Sequence, residues 1–101
     1  MSRILLTAMI VGSLGLAGAA QAAGDPAAGK AEATSCAMCH GHDGQGTSVA
    51  PRLAGLAPAV FVQALEDFKS GKTANAMMKA QADKLNPEQM ANLAAYYASL
   101  K

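Results

Sequence analysis

The sequence predicts an all-α domain, and three observations carry that prediction. From residue 23 onward the only β-branched residues are Thr34, Thr47, Val49, Val60, Val62 and Thr73, too few and too scattered to build a sheet. Pro26, Pro58 and Pro87 each follow a break in the apolar pattern, at the first helical position, where proline's missing N–H is not needed. Behind Pro58 and Pro87 apolar residues recur at three- and four-residue spacing, the period of a half-buried helix.

The N-terminus reads as a secretory leader. Ser2 and Arg3 precede an apolar run from Ile4 that ends in small residues, with Ala20 and Ala22 in the positions a signal peptidase favours. Gly12, Gly15 and Gly18 interrupt the run, which falls short of the roughly 20 residues a membrane span needs. The expected division is a signal peptide at residues 1–22 and one domain at residues 23–101. Without Arg3, seven basic and seven acidic side chains remain. A formally neutral domain with no basic patch excludes nucleic acid as a partner, and no stable membrane insertion is expected once the leader is gone.

The elements follow in order. Asp25 caps a helix that Pro26 opens and that is expected to run to about Ser35. The stretch GHDGQGTSVAPRLAGL, with four glycines and Pro51, is a loop. Pro58 opens PAVFVQALEDFKS, with Phe61, Ala64, Leu65 and Phe68 on its apolar face and Gly71 as terminator. Ala57, where a capping side chain is expected, predicts a frayed start to that helix. A short helical piece is expected around Ala76 to Ala82. Asn86, Pro87 and Gln89 form a capping-box pattern ahead of a helix that buries Met90, Leu93, Ala94, Tyr97 and Leu100.

Such a domain is near the size at which one core supplies only about 3 to 5 kcal/mol. The chain has two Phe, two Tyr and no Trp, and alanine makes up much of the rest, burying little area per residue. A further group is expected to fill the interior.

Cys36, Ala37, Met38, Cys39 and His40 supply one. C-x-x-C-H is the attachment sequence for c-type haem. On a helical turn, residues three and four apart share a face, so both thiols reach one edge of a macrocycle and His40 reaches its iron as proximal ligand. A thioredoxin-like dithiol belongs at a strand-to-helix junction, and no strand is readable here. Zinc held by Cys36, Cys39, His40 and His42 would crowd four ligands into seven residues, whereas structural zinc sites draw on separated pairs. A disulfide between Cys36 and Cys39 would close too small a loop to stabilise much. His42, flanked by glycines, is expected to be exposed. For the other axial position the chain offers Met38, Met77, Met78 and Met90. Met38 lies within the attachment turn and Met90 on a core face, which leaves Met77 and Met78.

The ordered set CAMCHG, APRLAGL, LEDFKSGK, NAMMKAQADKL and LAAYYASLK resembles the small bacterial class I c-type cytochromes, the cytochrome c553 and c4-like group, from about Gly24 to Lys101. The resemblance implies the cytochrome c fold: three main helices plus short helical segments around one covalently bound haem c. It implies a periplasmic electron carrier, not an enzyme, that exchanges single electrons with redox partner proteins as a monomer or within a redox complex. Cys36 and Cys39 would attach the haem, with His40 and Met78 as axial ligands; Met77 is the alternative to Met78. The Pro51 carbonyl would accept a hydrogen bond from His40, and Arg52 beside it would face a haem propionate or solvent. Gly29 would let the first helix cross the last near Tyr97. The rival readings are a haem subunit of a larger oxidoreductase and a ligand-sensing haem protein.

Overall fold

A computed structural model describes residues 24–101; the leader assigned to residues 1–22 and its junction with the domain lie outside the described residues. Among the described residues five helices follow one another: α1 (Pro26–Glu32), α2 (Thr34–His40), α3 (Pro58–Ser70), α4 (Ala76–Ala82) and α5 (Pro87–Ser99). Among the described residues there is no strand, as the scarcity of β-branched residues requires.

Asp25 caps α1 as expected, its carboxylate accepting from the Ala27 N–H at 2.9 Å. The helix does not continue to Ser35. At Ala33 (φ −79°, ψ −2°) the backbone N–H turns back three residues to the Lys30 carbonyl, a tightened turn after which α2 begins afresh. The attachment sequence therefore occupies a helix of its own, redirected by one residue that carries neither glycine nor proline to announce the break.

α1 crosses α5 at Gly29. A Cβ there would fall on the Asn92 carbonyl oxygen and lie 2.8 Å from the Tyr96 Cβ. The contact therefore centres on Asn92 and Tyr96 rather than on Tyr97, which points into the core. Asn92 joins the two helices a second time: its side-chain oxygen accepts from the Asp25 N–H at 2.8 Å, and its amide donates to Glu32 at 3.4 Å.

Phe61 and Leu65 of α3 pack on Met90, Leu93, Ala94 and Tyr97 of α5, with Ala33 and Ala82 closing the cluster. The Phe61 and Tyr97 rings stack with centroids 5.5 Å apart. Phe68 and Leu100 are half-buried against this core. Ala64 departs from the expected face and is exposed, because it sits at one flank of the stripe centred on Phe61, Leu65 and Phe68. The start of α3 is intact despite Ala57: the Phe61 N–H reaches the Ala57 carbonyl at 3.0 Å, and Pro58 at the first position has no N–H to satisfy. Asn86 and Gln89 exchange the two capping-box bonds at 2.8 and 2.9 Å.

Candidate functional site

α2 carries Cys36, Cys39 and His40, and the three- and four-residue spacings from Cys36 to Cys39 and to His40 make each of those two a neighbour of Cys36 on the helix surface. Both cysteines are free and half-buried, and His40 is 6% exposed. Burial pushes the Cys36 thiol upward, against opposing hydrogen bonds from the Ser35 and Tyr97 side chains. Tyr97 is raised in turn, by burial first and by its charge interaction with Cys36 second.

The loop after α2 folds back over His40. Gly41, at φ 95°, ends the helix. The Gly46 N–H donates to the His40 carbonyl at 2.8 Å, and the Gly44 carbonyl accepts from both Leu53 and Ala54. The Thr47 hydroxyl donates to the Cys39 carbonyl at 2.6 Å. A Cβ on Gly44 would lie 2.6 Å from the Tyr97 ring, so only glycine lets the loop lie this close to α5. These bonds bring the Pro51 carbonyl oxygen to 2.7 Å from His40 Nδ1. A carbonyl only accepts, so Nδ1 carries the proton and Nε2 keeps its lone pair.

Arg52 is exposed, and its Nε donates to the Ala54 carbonyl at 3.2 Å. Met78 packs half-buried against the core, whereas Met77 is 72% exposed. Met38 is exposed and Met90 fully enclosed. His42 is exposed. Among the described residues no three His, Cys, Asp or Glu side chains converge to hold a metal ion. Three structural contributors had no strong sequence signal: Thr47, which ties the loop to the attachment turn, Asn92, and Asn75. The last caps α4 by accepting from the Met78 N–H at 3.0 Å, and its place before a helix is the one cue the sequence offered.

Residues 22–96 match the family model described as cytochrome c oxidase, cbb3-type, subunit III. Cytochrome c-554(547) of Halothiobacillus neapolitanus is 43% identical over 78% of this chain and 100% of its own length. The chain belongs to the class I c-type cytochromes. Within them it is similar to the c4 group: cytochrome c4 of Pseudomonas aeruginosa is 38% identical over 100% of this chain and 50% of that one. The solved cytochrome c4 of Acidithiobacillus ferrooxidans superposes with a TM-score of 0.68 at 37% identity, covering 71% of this chain and 47% of the other. The chain thus spans about half the length of the cytochromes c4 it matches.

A c-type cytochrome carries covalently bound haem, and the donors present fit it. Two unpaired thiols stand on the same short helix as an imidazole whose Nδ1 is already occupied by Pro51, which leaves its Nε2 for iron. The aromatic-poor core is also of the kind a large planar cofactor completes.

Proposed function

We propose that the protein is a one-electron carrier of the periplasm whose single haem is attached through Cys36 and Cys39 and held axially by His40 and Met78. The observation that carries this is the 2.7 Å contact between His40 Nδ1 and the Pro51 carbonyl. It fixes the ring's orientation and tautomer and makes the free nitrogen a better donor. When bound, the haem supplies an iron that cycles between ferric and ferrous states.

Everything else is done by the chain. α2 and its loop hold the imidazole still, the half-buried position of Met78 favours it over exposed Met77 as the thioether donor, and the core of α3 and α5 keeps water from one side of the site. With haem bound, His40 and Met78 would together supply both protein donors to the iron, which suits electron transfer rather than chemistry on a bound substrate. Arg52 serves the loop through Ala54 and has its outer guanidinium nitrogens left for a propionate. Donor and acceptor are other redox proteins. Among the described residues no helix is long and apolar enough to cross a membrane.

The test is protein expressed in cells competent for c-type haem maturation. Its mass should equal residues 23–101 plus one haem, with a sulfur-to-iron charge-transfer band in the oxidised form. Met78→Ala should abolish that band and Met77→Ala should leave it. Colourless, folded protein at the mass of the bare chain would overturn the reading, and rapid carbon monoxide binding by the reduced protein would overturn its carrier role.

A further inference from the structure

α4 is only seven residues long, too short to hold its own shape in water, yet it carries the proposed thioether ligand. Its place is set by contacts reaching out of it. The Lys79 ammonium donates to the Lys69 carbonyl at 3.0 Å and to both oxygens of Asp83 at 3.2 Å, which uses its three N–H groups. The Lys69 ammonium reaches the other way, to the Leu85 carbonyl at 2.7 Å. Each lysine thus crosses between α3 and the segment that runs through α4 to Leu85.

The chemistry of the acceptor explains why a cation sits there. Lys69 lies in the last turn of α3, where carbonyls lack helical partners, and that end of the helix favours positive charge. Two of its neighbours find other donors: the Asp67 carbonyl accepts from Thr73 and the Phe68 carbonyl from Gly71. The Lys69 carbonyl is satisfied by the Lys79 ammonium, from the residue next to Met78.

We propose that this reciprocal lysine clasp positions the Met78 thioether, with Lys79 as the principal positioning residue; the proposal rests on Met78 being the axial ligand. Losing the clasp frees the start of α4 to move away from the core, and the sulfur leaves the iron more often. Lys72 and Lys84 lie in the same stretch with exposed side chains. Neither reaches the Lys69 or Leu85 carbonyl, so they separate loss of contact from loss of charge.

The experiment compares the intact haem-loaded protein with Lys79→Met, Lys69→Met and Lys84→Met, which remove the same charge and keep the apolar stem. Carbon monoxide association with the reduced form reads how often the sulfur leaves, the charge-transfer band reads the fraction bound, and the reduction potential follows, since thioether ligation raises it. Lys79→Met is expected to speed carbon monoxide binding about fivefold, as loss of one partly exposed charge-assisted bond implies, and to lower the potential. Lys69→Met should do so less, Lys84→Met not at all, and Lys79→Arg should recover most of the wild-type rate. If Lys79→Met fails to fold, Asp83→Asn, which loosens the ammonium without removing it, should shift the same readouts in the same direction. Equal rates and bands in Lys79→Met and Lys84→Met would overturn the clasp, as would a wild-type rate in Asp83→Asn. If Met78→Ala removes the band while Lys79→Met is silent, the axial assignment stands and the clasp falls. If Met78→Ala keeps the band, both fall.

Discussion

His40 Nδ1 and the Pro51 carbonyl oxygen lie 2.7 Å apart, across a loop pinned at Gly44, Gly46 and Thr47. The proline contributes only its carbonyl to this bond, but its fixed φ holds that carbonyl in place. Pro51→Gly keeps the acceptor and frees the loop, at a cost of about 1 kcal/mol. The bond should weaken, making the imidazole less basic, favouring ferrous iron and raising the reduction potential. Electrochemistry reads the potential, and proton exchange at the His40 ring N–H, monitored by NMR, should speed up in the variant.

Gly29 lies inside α1 and Gly71 caps the end of α3, and their substitutions should differ in cost. A methyl at Gly29 meets the Asn92 carbonyl, backbone that cannot swing aside, so Gly29→Ala should cost about 3 kcal/mol, the upper end for overpacking. At Gly71 nothing lies within 4 Å, but φ is +83°, so Gly71→Ala should cost only about 1 kcal/mol. Urea unfolding of the haem-loaded protein, followed by helix signal, measures both.

Those two glycines also mark how far the sequence could be read. Gly71 was legible as a terminator because helix ends announce themselves locally, as do the proline-led starts of α1, α3 and α5 and the Asn86 capping box. The C-x-x-C-H spacing was equally legible, and the structure carries all five of its residues on one helix, α2. The end of α1 was not: Ala33 is an ordinary helix former, and the turn there is imposed by the need to aim α2. Ala64 fits a three-residue spacing yet lies off the buried stripe, a distinction that only the packing of Phe61 and Leu65 on α5 decides. Asn92 and Lys79 were invisible for a different reason. Their partners, Asp25, Glu32 and Lys69, are distant in sequence or sit on another helix, and no periodicity encodes such pairs.

Asn92 is buried and gives both ends of its amide to α1. Asn92→Ala leaves the Asp25 N–H and Glu32 without that partner, and should destabilise by about 2 kcal/mol. Asn92→Asp keeps the acceptor for Asp25 but sets a second carboxylate against Glu32. Glu32→Gln removes that repulsion, so Asn92→Asp should cost less in the Glu32→Gln background than in wild type. Urea unfolding of the single and double variants measures the difference: an Asn92→Asp penalty unchanged by Glu32→Gln would exclude this arrangement.

Tyr97 connects the core to alkaline stability. It is 1% exposed, and burial raises its phenol above the ordinary value of 10.0; the Cys36 charge adds to the rise only while that sulfur is a thiolate, so burial, helped by the neighbouring Tyr96 charge, remains once the sulfur is a thioether. A raised folded-state value means that the unfolded chain gives up this proton first. Stability from Tyr97 is therefore complete below pH about 10 and declines above it, until the folded phenol itself ionises. Tyr97→Phe keeps the ring that stacks on Phe61 and removes the ionisation. Denaturant midpoints of the haem-loaded proteins, taken in steps from pH 8 to strongly alkaline solution, should run parallel up to about pH 10, after which wild type should fall more steeply than the variant. Parallel curves throughout would mean that the Tyr97 proton is lost equally readily in both states.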